Sequence, residues 1–274
     1  MPAESPCRVL VLGAHPDDAE VAAGGLLVRH RQLGSAVRII SVTDGRSGHH
    51  FTPPEELVRI RREEARKSGE LIGAENFTWD FPDGSLQADL DVRSAIIREI
   101  RAFKPDLVLT HRPNDYHPDH RAVGQAVQDA SYMVTVPHIC PDLPALRSDP
   151  IVAYMSDLFT RPNPLRSDIA LNIAEEFETM VRMAACHQSQ FFQWLPYHDG
   201  KLQEVPDTYE AKLAWLHGWL TEFLKRRWEH FQSELSQRFV GSSLVSPLIE
   251  VYEISEYAGK LRDEVRASLF PLSL

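Results

Sequence analysis

The chain has 274 residues, and its 29 Lys and Arg against 39 Asp and Glu give a formal net charge of −10. This acidic balance opposes binding of nucleic acid, which requires a basic surface. The hydrophobic fraction of 43% indicates a globular protein with a core, and no stretch reaches the roughly 18 apolar residues of a membrane span. The start, MPAESPC, lacks the basic and apolar regions of a secretory leader. We therefore expect a cytoplasmic protein that neither binds nucleic acid nor spans a membrane.

Cysteine and histidine usage limits the possible metal chemistry. The three cysteines are widely spaced and odd in number, so they predict neither a disulfide framework nor a cysteine-ligated metal site. The chain contains twelve histidines. Any metal site should therefore be built from imidazole and carboxylate ligands.

Strands and helices alternate along the first half of the chain. The run RVLVL at 8–12 is continuously apolar and ends at Gly13, as expected of a strand buried on both faces of a parallel sheet. Further strands are predicted at 36–45, 77–81 and 105–111, with helices at 21–33, 55–71, 91–103 and 120–133. This alternation indicates an α/β fold with a Rossmann-like, doubly wound and mainly parallel sheet in 3-2-1-4-5-type order.

The second half combines a loop, three strands and a long helix. Prolines mark a surface loop after residue 133, and strands are predicted at 151–157, 168–173 and 248–255. Apolar residues recur every three or four positions from Leu213 to Leu235. We expect this stripe to pack on the chain's own sheet, although its breadth also suggests a homo-oligomer through helix 208–238. We predict one domain over 1–274, with an α/β core at 1–175 and a helical elaboration plus a late edge strand at 176–274.

The first strand ends in GAHPDDAE, residues 13–20. Ligands of open α/β sheets bind at the carboxyl ends of strands, and a G-x-G-x-x-G dinucleotide loop is missing from this position. One imidazole and three carboxylates within six residues favour a bound cation, because like charges repel one another unless a cation offsets them. His15 and Asp18, three residues apart, would lie on the same side of the turn, as two ligands of one ion must.

A second cluster, HRPNDYHPDHR, occupies residues 111–121 at the end of the predicted strand 105–111. His117 and His120 are again three residues apart, and Pro118 suits the first turn of a helix. In a 3-2-1-4-5 sheet this strand lies beside the first strand, so the two clusters can converge. One carboxylate and two histidines with an open position is the ligand count of a catalytic zinc site.

Simpler explanations compete with this one. The aspartates of the HPDD turn could cap a helix N-terminus, although two such clusters at strand ends make capping the weaker explanation. His49 and His50 could line a pocket or lie in a solvated loop. Five other histidines are interpreted as ordinary surface or core residues: His30, His138, His198, His217 and His230.

Together the two clusters resemble the motifs of the PIG-L/LmbE family of zinc-dependent N-deacetylases, which act on N-acetylglucosamine units. AHPDD-x-E is matched by 14–20 and H-P-D-H by 117–120. Shorter matches extend the resemblance over most of the chain: TDG at 43–45, R-x-x-E at 61–64 before IG at 72–73, PDG at 82–84, H-x-S-Q at 187–190, and Glu250 with Tyr252. The chain departs from the pattern at Arg46, where many members carry Glu.

The resemblance implies a metal site and substrate contacts. His15, Asp18 and His120 would bind one Zn²⁺ per chain, with iron, cobalt or manganese as alternatives. Arg61 and Asp83 match positions that contact sugar hydroxyls in family members. The implied partner is a small-molecule N-acetylated sugar or its conjugate.

The resemblance also implies the catalytic groups. Asp17 would be the general base for a metal-activated water, and His117 would polarise the amide carbonyl and stabilise the oxyanion. Asp119 would orient a histidine of its cluster. Either Asp17 or His117 could protonate the amine. The predicted function is hydrolytic N-deacetylation.

Three other functions remain open from the sequence. The chain could be an amidase for a thiol-sugar conjugate, as some relatives of this family are. Phosphoester hydrolysis would normally need two metals and several basic phosphate contacts, whereas the clusters provide ligands for one metal. The chain could also be an inactive, metal-dependent sugar-binding protein.

Overall fold

A computed structural model describes residues 6–238 and 246–271. Within them one sheet contains seven strands: β1 (Arg8–Gly13), β2 (Ala36–Thr43), β3 (Glu75–Phe81), β4 (Leu107–Thr110), β5 (Ile151–Met155), β6 (Ile169–Asn172) and β7 (Ile249–Ile254). The strand order is β3-β2-β1-β4-β5-β7-β6. Strands β1 to β5 pair in parallel, while β7 is antiparallel to both of its neighbours. The predicted mainly parallel sheet in 3-2-1-4-5 order is confirmed.

Helices cover both faces of this sheet. They are α1 (Asp18–Gln32), α2 (Pro54–Ile72), α3 (Leu90–Phe103), α4 (Pro118–Ala130), α5 (Phe177–Ala185), α6 (Leu195–His198), α7 (Tyr209–Arg238) and α8 (Asp263–Leu269). Apolar side chains of α1, α5 and α7 share one core, and those of α3 and α4 share another on the opposite face. Because both faces are covered, β1 is apolar after Arg8, and its residues 9–12 are fully buried.

The late strand does not lie at the edge of the sheet, so that prediction was wrong. β7 is inserted between β5 and β6, and Val251 and Tyr252 are fully buried. The alternation LIEVYEIS suggested a half-exposed strand because it contains Glu250. Glu250 is nevertheless fully buried, and its carboxylate accepts hydrogen bonds from the backbone N–H groups of Gly25 and Leu26. A buried carboxylate with backbone donors imitates the pattern of an exposed one.

The apolar stripe of α7 packs within the chain. Leu216, Leu220 and Leu224 are buried in the same core as α1 and α5, and Phe231 and Leu235 pack with β6 and β7. The expectation that this stripe packs on the chain's own sheet therefore agrees with the structure. A homo-oligomer through 208–238 stays a prediction.

The proposed division at residue 175 does not separate two sheets. β7 belongs to the carboxyl-terminal part, yet it pairs with β5 and β6 of the amino-terminal part. Residues 1–5, which contribute to the argument against a leader, lie outside the described residues. Among the helices of the described residues, none has the length and apolarity to cross a membrane.

Candidate active site

Two loops meet at the carboxyl edge of the sheet because the strands before them are neighbours. β1 pairs in parallel with β4 from Val9 and Leu107 onward, so both strands end at the same edge. The turn after β1 carries His15 and Asp18, and the segment after β4 leads to His120 in α4. The sequence predicted this convergence, and it follows directly from the strand order.

The three predicted metal ligands lie close to one another. His15 Nδ1 is 3.2 Å from His120 Nε2 and 3.6 Å from Asp18 Oδ2, while His120 Nε2 is 3.4 Å from Asp18 Oδ1. Zinc bonds of 2.0–2.1 Å in tetrahedral geometry separate ligand atoms by about 3.3–3.4 Å. The three side chains are therefore close enough to bind one ion, with the carboxylate of Asp18 facing the two nitrogens through different oxygens.

The outer nitrogens of both histidines face carboxylates. His15 Nε2 lies 3.1 Å from Asp83 Oδ1 and 3.3 Å from Asp119 Oδ2, and His120 Nδ1 lies 3.1 Å from Asp115 Oδ1. Such carboxylates fix the ring orientation and the tautomer of a ligating histidine. This leaves Nδ1 of His15 and Nε2 of His120 directed toward each other and toward Asp18.

These carboxylates determine the charge of the two imidazoles. Burial alone lowers the pKa of His15, but hydrogen bonds with Asp119, Asp18 and Asp83 raise it well above the usual value. Burial likewise lowers the pKa of His120, while Asp18 and Asp115 raise it to about 9. The site thus favours positive charge, and a metal cation satisfies the same field.

Asp17 has the least favourable backbone conformation in this turn. Its φ is +122°, outside the regions common for residues with a side chain. It is the N-cap residue of α1, but its side chain makes no capping hydrogen bond, so the capping explanation fails for Asp17. Burial raises the pKa of Asp17 to about 6, opposed by the positive charge of Arg61. Strain and a raised carboxyl pKa together are typical of functional positions.

Arg61 contacts the turn that carries Asp17. Its guanidinium is buried, donates to Pro16 O and lies 3.4 Å from Asp17 Oδ1. A Cβ at Gly45 would be 2.8 Å from the Arg61 side chain, so the loop after β2 can approach only as glycine. Arg61 thus contacts protein groups on two loops and also lines the cavity described below. Its predicted contact with substrate stays a prediction.

Asp83 has protein partners on both carboxylate oxygens. Oδ1 faces His15, and Oδ2 accepts from the backbone N–H of Ser47 at 3.0 Å. Asp119 is fully buried and accepts from the backbone N–H groups of Gly84 and Leu86 at 2.7 and 3.1 Å. Both carboxylates are therefore fixed in position behind His15. Asp119 was predicted to orient a histidine of its own cluster, but its carboxylate faces His15 of the first cluster. The substrate contact of Asp83 stays a prediction.

His117 is held as a neutral hydrogen-bond donor. Its Nδ1 accepts from the backbone N–H of Asp119 at 3.2 Å, so in the neutral ring the proton is on Nε2. Burial, together with the charges of His15 and His120, lowers the pKa of His117. A neutral imidazole with a protonated Nε2 can donate to a developing oxyanion.

His111 also lies in this site, although the sequence assigned it no role. Its Nε2 accepts from the backbone N–H of Ala14 at 3.0 Å and lies 3.0 Å from Asp18 Oδ2. Its ring stacks on His120 with a centroid distance of 3.9 Å. A Cβ at Gly124 would lie 2.5 Å from His111 O, so this close approach of α4 needs glycine. The position of His111 at the end of β4 was the sequence feature that could have identified it as a site residue.

A cavity of about 720 Å³ extends from the three predicted metal ligands. Its volume lies in the range of small-molecule sites. Beyond the site residues, its wall is largely aromatic and comes from the carboxyl-terminal half: Phe159, Phe191, Trp194, Trp219 and Phe223. His198 also lines it, contrary to its ordinary interpretation.

His49 and His50, in the loop after β2, contact side chains of the segment 193–197. His49 Nε2 is 2.8 Å from Gln193 Oε1, and His50 stacks on Tyr197 with centroids 3.8 Å apart. Their loop lines the cavity through Ser47 and Gly48. Arg46, at the departure from the family pattern, pairs with the buried Asp44. Side chains of this loop are therefore engaged chiefly with protein.

Comparison with known proteins relates this fold and site to the sugar deacetylases. A diacetylchitobiose deacetylase of Thermococcus kodakarensis is 29% identical over 203 residues, covering 69% of this chain and 74% of that protein. A probable N-acetyl-alpha-D-glucosaminyl L-malate deacetylase 2 of Bacillus cereus is 28% identical over 236 residues, covering 81% and 99%. The crystal structure of GalB, the 4-carboxy-2-hydroxymuconate hydratase of Pseudomonas putida KT2440, superposes with a TM-score of 0.71 at 20% identity, covering 94% and 98%.

Residues 10–131 match the family described as PIG-L: GlcNAc-PI de-N-acetylase. The resemblance predicted from the sequence is confirmed. The matched segment includes both clusters with the predicted metal ligands, as well as Arg61 and Asp83. Most of the aromatic cavity wall lies outside it.

Proposed function

We propose that the chain is a metal-dependent hydrolase that deacetylates an N-acetylated amino sugar or its conjugate. The observation that carries this proposal is the approach of His15, Asp18 and His120 to within 3.6 Å of one another beside Asp17 and His117. The named activities of the deacetylase relatives support the reaction class.

His15, Asp18 and His120 would hold the metal, through Nδ1 of His15 and Nε2 of His120. Zn²⁺ suits a tetrahedral set of two imidazoles and a carboxylate, and other divalent ions of the first transition row share these ligands. When bound, the ion supplies Lewis acidity, which polarises a carbonyl and acidifies water. Asp83, Asp119 and Asp115 would keep the two rings oriented.

Asp17 would accept the proton of the attacking water. Its raised pKa, about 6, makes it a better base than an exposed aspartate and leaves it ionised at neutral pH. The same carboxyl group can return the proton to the departing amine. His117 carries its proton on Nε2 and has a lowered pKa, so it can donate a hydrogen bond but is a weak base. We therefore assign His117 to stabilisation of the oxyanion and Asp17 to both proton transfers.

Release of free amine from N-acetylated sugars tests the proposal. Zinc-loaded protein should release amine and acetate in equal amounts from N-acetylglucosamine conjugates. Asp17→Asn should lose at least about a hundredfold in kcat, because general base catalysis contributes 10²–10⁴-fold. Asn tolerates a positive φ, so the turn should persist. The exposed Asp207→Asn is the matched control.

Other results would point to other functions. Metal binding and sugar binding without turnover would indicate an inactive binding protein. Turnover restricted to thiol-sugar conjugates would indicate the amidase. Since a hydratase shares this fold, hydration of an unsaturated carboxylate is assayed in parallel, and hydration without amine release would overturn the proposal.

A further inference from the structure

Arg227 lines the cavity from α7. We propose that it binds an anionic group of the substrate, a carboxylate or a phosphate, at a distance from the amide. This inference rests on the proposed function and defines the substrate as an N-acetylated sugar conjugate with a negatively charged substituent.

The guanidinium of Arg227 is buried, and one of its donors lacks an acceptor among the described residues. The residue is 4% exposed, and its Nη1 has no hydrogen bond within the described parts of the chain. No salt bridge to it occurs among residues 6–238 and 246–271. Burial lowers the pKa of Arg227. An unpaired buried guanidinium is costly, so its occurrence at a cavity wall indicates a ligand that completes it.

Glu250, whose charge acts on Arg227, already accepts three hydrogen bonds from other groups. Glu250 exerts a Coulombic influence on Arg227 but forms no salt bridge with it. Both carboxylate oxygens of Glu250 accept other hydrogen bonds, from the backbone N–H groups of Gly25 and Leu26 and from the hydroxyl of Tyr252. Glu250 is therefore anchored to α1 and β7, and the donors of Arg227 remain available to a ligand.

The side chains next to Arg227 form an ordered wall. Trp219, Phe223 and Arg227 are spaced by four residues along α7, so they share one face of the helix. The rings of Trp219 and Phe223 stack with centroids 5.6 Å apart, and the Arg227 guanidinium lies 5.5 Å from the Phe223 ring centroid. Aromatic faces suit the apolar face of a sugar or an aromatic group, and the terminal guanidinium suits oxyanions.

Further buried polar atoms line the same cavity. Ser156 Oγ and Gln190 Oε1 are also without hydrogen bonds among the described residues. An apolar cavity with a few unsatisfied polar groups is the usual form of a small-molecule site. Together with Arg227 these atoms favour a ligand that carries hydroxyl groups and one negative charge.

Matched ligand pairs isolate the charge. One pair is the 4-carboxyphenyl and 4-carbamoylphenyl N-acetylglucosaminides, which differ in charge but hardly in shape. The second pair is N-acetylglucosamine 1-phosphate and the methyl glycoside. Binding is measured by calorimetry in an Asp17→Asn background, so that no turnover is needed, and amine release is measured separately with Asp17 present. The two pairs distinguish a carboxylate from a phosphate.

We expect the anionic member of at least one pair to bind about tenfold or more tightly than the neutral member. Arg227→Met should reduce this ratio to about one, and Arg227→Lys should retain part of it, because lysine keeps the charge without the fork of donors. The neighbouring Arg226→Met removes the same charge from an exposed position and should keep the wild-type ratio. Met is apolar and similar in length, so we expect Arg227→Met to fold, which thermal unfolding checks.

The inference is overturned if neither pair shows a preference for the anion, or if Arg227→Met keeps the preference. Equal rates of amine release from the anionic and neutral members of each pair would leave the proposed function intact but contradict the inference. Charge-selective binding without amine release would support the inference about Arg227 and contradict the proposed function.

Discussion

The orientation of His15 gives the sharpest test of the metal site. Its Nε2 faces two carboxylate oxygens, Asp83 Oδ1 at 3.1 Å and Asp119 Oδ2 at 3.3 Å. One N–H thus has two acceptors, and each of them contributes to holding the ring. We predict that Asp83→Asn and Asp119→Asn each weaken Zn²⁺ binding by about tenfold, and that the double variant loses about a hundredfold.

These magnitudes follow from the role of the carboxylates. Loss of a carboxylate that orients a ligating histidine typically costs 10–100-fold in metal affinity. Tenfold corresponds to about 1.4 kcal/mol and a hundredfold to about 2.8 kcal/mol. The two single variants differ in their structural cost. Asp119 also accepts from Gly84 and Leu86, so Asp119→Asn leaves one buried backbone donor facing an amide and should destabilise the fold by about 1–3 kcal/mol.

Competition with a chromophoric chelator measures zinc affinity, and thermal unfolding without metal measures stability. Asp207→Asn, at an exposed position, should change neither quantity. If the folded double variant binds Zn²⁺ within twofold of the wild type, His15 is not held by these carboxylates or is not a ligand.

Three further predictions concern other parts of the molecule. His117→Ala should lower kcat by about 10²–10³-fold with unchanged zinc content, since it removes an oxyanion donor; a change in KM alone would contradict that role. Gly124→Ala should lower the unfolding temperature because its Cβ would meet a backbone oxygen at 2.5 Å, whereas Gly218→Ala, with open space around it, should raise stability by about 0.5–1 kcal/mol. Burial lowers the pKa of His30, so below about pH 6.5 the unfolded chain binds its proton first and stability falls. His30→Asn should flatten that acid limb of a denaturation series, and the exposed His138→Asn should not.

The sequence predicted the fold and the convergence of His15, Asp18 and His120 for a definite reason. Apolar runs such as 9–12 and 107–109 mark strands that are buried on both faces, and their order follows from the alternation with helices. His15 and Asp18 are neighbours in one turn, and His120 joins them because β1 and β4 pair. Local motifs at adjacent strand ends need no knowledge of long-range packing.

Other parts of the site depended on packing that the sequence pattern does not express. The alternation around Glu250 predicted an edge strand, but the carboxylate is buried against α1. His198 looked like an ordinary histidine until α6 brought it to the cavity. His111 and Asp115 lie within the second cluster, yet only the distances to Asp18 and His120 reveal their contacts.

The sequence by itself determined the sheet, the two clusters and the chemistry that they can support, because those features depend on local pattern and on strand order. Only the tertiary structure decided the other wall of the cavity. Arg227 follows Arg226 in a charged helix, and by spacing alone both could face solvent. The packing of α7 buries Arg227 and leaves Arg226 exposed. A helix face acquires its environment from what packs against it, and that contact joins residues far apart in the chain.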